Sequence, residues 1–293
     1  MSKMIEIAAG DRRATIIPGL GGALAALSRR DHDVLRPLPD NATSALAAAC
    51  IPLVPWGNRI RLGRFNFGGH AVVLPAKHQT ERHAAHGLGW ERSWILSELV
   101  GASAELVLDH AGAAAGEAWP WSFRAVQRFE LDTDGLALSI ELTNTGTETM
   151  PAGLGLRPCL RRWRDSRAQF TAREMALADL EQIPTGELVG ARHFGDWSKG
   201  MTVPAITIDN CYAHWGGKVE VKDGLGTITL QASGAENLHV FAPGTGGELI
   251  FAPLNHLPAP FHAEDWSMPV LQPGKSARID LHITEGSRPA EAI

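Results

Sequence analysis

Two stretches carry the side chains best suited to chemistry. In Ile51 to Phe67, IPLVPWGNRIRLGRFNF, Asn58 and Arg59 stand side by side, an amide that donates and accepts beside a guanidinium with a fixed fork of donors. In HAAHGLGW, residues 83–90, His83 and His86 precede Gly87 and Gly89, and Trp90 follows. Amide, guanidinium and imidazole groups next to an aromatic face are the parts of a sugar-site edge: hydrogen-bond partners for hydroxyls and a flat apolar surface for stacking.

The elements that must position these groups read as strands. Pro52 and Pro55 exclude a long helix, because each proline removes a backbone donor and clashes with the preceding turn. Arg64-Phe65-Asn66-Phe67 alternates with period two, so Asn58 and Arg59 are expected where a strand ends, facing a cleft. Leu136–Asn144 is the cleanest alternating stretch, and Asp134-Gly135 ahead of it is a hairpin turn signal. Arg92–Leu99, Glu105–His110, Ala118–Glu130, Val219–Lys222, Gly226–Ala232 and Asn237–Ala242 extend the pattern. The glycine cluster at 18–22 does not have G-x-G-x-x-G spacing, and no crossover unit follows it. Without repeats, linkers or low-complexity blocks, residues 1–293 read as one all-β domain.

Composition narrows the function classes. Lys and Arg total 27 against 32 Asp and Glu, a net charge of −5 that gives no reason to expect a nucleic-acid partner. The longest apolar run, Ala45 to Trp56, is too short to span a bilayer and contains two prolines, so no membrane role is expected. Cys50, Cys159 and Cys211 are far apart with no C-x-x-C pair, which argues for buried thiols rather than disulfides or a thiolate metal site. The first residues, MSKMIEIAAGDRR, have no apolar core of a secretory signal, and a cytoplasmic protein is expected. His78, His83 and His86, with Glu81 as the nearby acid, lack metal-binding spacing, so no metal and no cofactor are expected.

Larger motifs add a resemblance. Leu53-Val54-Pro55-Trp56-Gly57-Asn58-Arg59-Ile60, then Phe67-Gly68-Gly69, then His86-Gly87 resemble the aldose 1-epimerase (galactose mutarotase) family. The order continues with the WPWSF start at Trp119, Thr143-Asn144, Thr207-Ile208-Asp209-Asn210, Phe251-Ala252-Pro253-Leu254-Asn255-His256 and the closing Leu271-Gln272-Pro273-Gly274. The resemblance implies a large antiparallel β-sandwich with a sugar cleft. It also implies anomer interconversion by ring opening, in which a Glu takes the proton of the anomeric hydroxyl and a His protonates the ring oxygen. Arg59, His86 and Asp209 match the residues that position the sugar. Trp119 or Trp121 is the first expectation for an aromatic reaching it.

This chain departs from the family pattern at the acid and the base, where it has Arg157 and Ala252. A guanidinium does not shuttle protons and an alanine has no proton chemistry. His86, Asp209 and His256 are then the remaining proton-transfer candidates, His256 because it shares strand parity with Ala252. Glu248 shares that parity too, but lies about 13 Å along a strand. Glu264 and Asp265 flank the same region in sequence. Arg59 and Arg157 are expected to clamp an acidic sugar such as a uronate, aldonate or sugar phosphate, or Arg157 is paired internally with Asp209, or it is turned to solvent. The reading is therefore an aldose 1-epimerase-like isomerase for an unusual, acidic sugar. The alternative is a sensor or carrier that binds sugar without turnover. Nothing in the sequence fixes an oligomeric state.

Overall fold

The computed structural model describes residues 4–76, 82–224, 226–262 and 268–286. His78, Glu81, Glu264 and Asp265 fall outside them. Two antiparallel sheets dominate, as the alternating stretches require. The larger has eleven strands. Its central run goes from Ala23–Arg29 through Cys50–Leu53, Gly155–Arg162, Gly247–Leu254, Asn237–Ala242 and Ile208–Ala213 to Glu174–Ala178. The second has nine strands, with Phe123–Leu131, Gly135–Asn144 and Ser276–Glu285 near its middle. No helix among the described residues is long and apolar enough to cross a membrane.

Period-two alternation decides which side chains meet between the sheets. Along Gly247–Leu254, Leu249 and Phe251 enter the main core, while Ile250, Ala252 and Leu254 face the other way. The strand Asn237–Ala242 does the same: Leu238, Val240 and Ala242 go inward, and His239 and Phe241 fall on the opposite face. That outer face is not bare. Ala45, Ala48, Ile51, Leu53, Trp90, Cys159 and Cys211 form a second apolar cluster on it. The large sheet is therefore covered on both sides, and a polar cavity opens within the outer layer.

The strand at Gly135–Asn144 starts where the turn signal placed it. The Asp132 carboxylate accepts hydrogen bonds from the backbone N–H groups of Asp134 (2.7 Å) and Gly135 (2.8 Å). The strand expected from Ala118 begins later, at Phe123, because residues 118–122 hold Trp119 and Trp121 in an aromatic cluster instead of in the ladder. The three cysteines are free thiols and buried.

The Pro-broken segment is tied to the histidine segment by backbone contacts. Arg59 and Ile60 pair with Ala85 and Ala84. The carbonyl of Val54 accepts from Leu88 N–H (2.7 Å) and Gly89 N–H (3.0 Å). Gly87 sits at φ +74°, and a Cβ there would collide with the Val54 carbonyl. Gly87→Ala is expected to cost at least about 1–2 kcal/mol for the left-handed backbone alone, read as a lowered midpoint in urea denaturation.

Candidate active site

Asn58 and His86 are both held at positive φ, 54° and 65°. Asparagine tolerates that region, whereas histidine visits it less readily, so the surrounding backbone must impose it. His86 N–H donates to the Asn58 carbonyl at 2.9 Å, and Arg59 N–H donates to Asn58 Oδ1 at 2.7 Å. These bonds present Asn58, Arg59 and His86 together at one end of a cavity of about 150 Å³. The sheet supplies the remaining walls: Leu53, Arg157, Asp209, His239, Phe241, Ile250, Ala252 and Leu254.

Strand pairing explains how residues so distant in sequence converge. His239 pairs directly with Ala252. Between the Gly155–Leu254 and Cys159–Ile250 pairs, Arg157 falls level with Ala252 on the other side. Asp209, on the next strand beyond His239, pairs with Phe241 and shares the outer face. Ala252 is thus a small floor between an imidazole and a guanidinium.

The electrostatics are asymmetric. Asp209 Oδ1 accepts from His239 Nε2–H at 2.7 Å, and its Oδ2 lies 3.5 Å from Arg59 Nη1. Burial alone would raise the Asp209 carboxyl. The hydrogen bond and charge of His239, with the charge of Arg59, outweigh burial and hold it below the usual carboxylate range. His86 Nδ1 is buried with no hydrogen-bond partner among the described residues. Burial first, then the charges of Arg157 and Arg59, pushes its pKa down to about 3, so it is neutral near pH 7.

Arg157 donates from Nη1 to the Leu46 carbonyl at 3.1 Å. Burial pulls its pKa down from the ordinary guanidinium value, but it stays a cation at neutral pH. Among the described residues no carboxylate lies within salt-bridge distance of it. Glu248, on the adjoining strand Gly247–Leu254, pairs with Arg36 at 3.2 Å.

The cavity brings together five of the expected positions, Asn58, Arg59, His86, Arg157 and Asp209. Three expectations are corrected. His256 is not in the wall: the strand ends at Leu254, so its parity does not carry on. Its Nε2 accepts from Gly57 N–H (3.0 Å) and its Nδ1–H donates to the Leu257 carbonyl (2.7 Å), leaving no ring nitrogen for a ligand. Trp119 is fully buried, stacked on Trp56 at a centroid distance of 5.2 Å, and does not line the cavity. The internal Arg157–Asp209 pair is not formed, because Asp209 is engaged by Arg59 and His239. His83 is also elsewhere, its Nδ1 accepting from Leu62 N–H at 2.9 Å.

His239 is the site residue that sequence reasoning missed. Its signal was a polar residue between Leu238 and Val240, on the face opposite to both, in a stretch already read as a strand. Its pairing with Ala252 could not be read without the sheet order.

The fold and the polar pocket on the outer face of its larger sheet define a protein of the galactose mutarotase-like type. A family model for aldose 1-epimerases matches residues 3–284, and the chain belongs to that family. Among its relatives, the uncharacterized protein YphB of Escherichia coli strain K12 is 27% identical over 282 residues, covering 90% of this chain and 92% of YphB. A second uncharacterized protein of the same strain, YihR, is 32% identical over 158 residues, 53% of this chain and 49% of YihR. Among solved structures, a candidate aldose 1-epimerase from Escherichia coli K12 superposes with a TM-score of 0.87 at 23% identity, covering 97% of this chain and 99% of that one. A galactose mutarotase-like protein from Clostridium acetobutylicum gives 0.84 at 19%, covering 98% and 96%. At these identities the structural likeness speaks for the fold.

Proposed function

We propose that the protein interconverts the anomers of an acidic aldose, with Arg157 reading the acidic group. The observation that carries this is the Arg157 guanidinium itself: a half-buried cation in the cavity wall whose one side-chain hydrogen bond among the described residues is to a neutral carbonyl. A partly desolvated charge with no carboxylate at salt-bridge distance among the described residues is favoured by an anionic ligand. Arg59 does not share the task equally, since its charge already faces Asp209. A uronate suits the arrangement, because its carboxylate is borne on the carbon next to the ring oxygen. One guanidinium can then face both the carboxylate and the oxygen at which charge develops when the ring opens.

The test is anomer exchange by NMR with neutral aldoses, uronates and sugar phosphates in turn. Exchange above the buffer rate is expected with acidic sugars and not with their neutral counterparts. Arg157→Gln is expected to weaken binding of the acidic sugar by about 2–5 kcal/mol, the cost of truncating one member of a buried charged pair. Unchanged affinity in that variant would remove the acidic-sugar assignment. Line broadening without exchange in the wild-type protein would replace the isomerase by a sugar-binding sensor or carrier.

A further inference from the structure

We infer that His239, oriented by Asp209, is the proton acceptor of the ring-opening step, occupying the role left vacant at Ala252. The inference rests on the anomer-interconversion reading. It starts from position: His239 stands across the ladder from Ala252, and Arg157 stands level with Ala252 on the far side. Neighbouring strands lie about 4.8 Å apart, so the imidazole and guanidinium rise about 10 Å apart at their Cα atoms, with a methyl floor between them. A group lying over that floor meets a base on one side and a cation on the other.

The tautomer follows from the partners. Asp209 is a carboxylate, so His239 Nε2 carries the hydrogen that it donates at 2.7 Å, and the lone pair is on Nδ1. The Asn58 amide does not consume that lone pair. Its Nδ2 lies 3.1 Å from Nδ1 and 3.2 Å from Nε2. Because the two ring nitrogens point in divergent directions, an in-plane hydrogen bond can reach only one of them. Near-equal distances place the amide over the face of the ring. Its orientation is set by the Arg59 N–H bond to Oδ1. His239 is therefore held from its face by Asn58 and from its Nε2 edge by Asp209, with Nδ1 left to accept a proton.

The step balances without a further reactant. Nδ1 takes the proton of the anomeric hydroxyl. The O1–H electron pair becomes the second bond of the C1 carbonyl, the C1–O5 bond breaks, and its pair passes to O5. The resulting alkoxide accepts hydrogen bonds from the guanidinium of Arg157, while the imidazolium is stabilised by Asp209. After rotation about C1–C2, O5 attacks the other face of the carbonyl and O1 recovers the proton from Nδ1. This division of labour, a neutral base beside a fixed cation, needs no proton donor at position 157.

The experiment measures anomer exchange against pH for the wild-type protein, His239→Gln and Asp209→Asn, with the substrate found in the NMR panel. His239→Gln is expected to lower the exchange rate by about 100- to 10,000-fold while sugar binding and melting temperature stay near wild type. Among the described residues, Asp209, Arg59, His86 and Arg157 are the charged or titratable groups that share the cavity with His239, and Asp209→Asn is expected to lower the exchange rate as well, because it removes the carboxylate that orients the ring. Adding Ala252→Glu to His239→Gln is expected to recover exchange, because it returns a proton acceptor to the neighbouring position on the ladder. A His239→Gln protein that exchanges at the wild-type rate with an unchanged pH profile overturns the assignment and leaves the isomerase reading standing. If the wild-type protein exchanges no sugar, both fall together. If His239→Gln does not fold, Asp209→Asn decides: an unchanged exchange rate and pH profile overturn the pair.

Discussion

Replacing Trp119 with alanine is expected to destabilise the fold by about 3–5 kcal/mol without weakening sugar binding. Trp119 is fully buried and stacks on Trp56 at 5.2 Å, with Trp121 also at 5.2 Å in an edge-on arrangement and Phe65 at 5.8 Å. Removing the indole takes away three ring contacts as well as buried area, and the neighbours are rings too rigid to collapse into the space. Urea denaturation followed by tryptophan fluorescence and circular dichroism gives the stability change, and NMR titration gives the affinity. A variant with native stability and weakened sugar binding would return Trp119 to the site.

Acidification is the second large effect. Burial pushes His86 down to about 3 and His256 down to about 4. The free imidazole takes up its proton near 6.5, so in that interval the unfolded chain binds more protons than the native one. Stability is therefore at its full value above about pH 6.5 and falls as the pH drops through the unfolded-state pKa. The His256 contribution levels off near pH 4 and that of His86 near pH 3. Each histidine removes up to about 1.4 kcal/mol per pH unit, so His256 alone accounts for about 3 kcal/mol between pH 6.5 and 4. The check is the urea midpoint measured across that range. His256→Asn is expected to start less stable, because Gly57 and Leu257 lose their partners, but to show a flatter pH slope. An equal slope in wild type and variant would refute the assignment of the loss to His256.

The elements were legible because they obey local rules. The alternation at 136–144 and the Asp-Gly turn before it depend only on side-chain parity and hydrogen bonds two or three residues long. Asn58, Arg59 and His86 were legible for a similar reason, as the glycines and prolines around them mark a tight backbone. The face assignments at the other end of the site were not. His256 looked equivalent to Ala252 by parity, but that parity ends where the strand does, at Leu254. His239 was indistinguishable from any polar residue in an apolar strand until its partner across the ladder was known. The tryptophans at 119 and 121 advertise stacking surface, and sequence does not say whether the partner is a sugar or another ring.

The order of strands in the large sheet has a consequence for how the protein comes into being. The cavity walls run in sequence from Leu53 to Leu254, and apart from the hairpin of Asn237–Ala242 with Gly247–Leu254 the adjoining strands at its centre are contributed by distant parts of the chain. Loop closure over such separations is slow and must precede the contacts that reward it. A chain emerging from the ribosome has no complete ligand site until Leu254 has been made, and a fragment that ends before Gly247 lacks the cavity floor. Ligand binding during refolding thus reports assembly of the central strands and is blind to any intermediate before it.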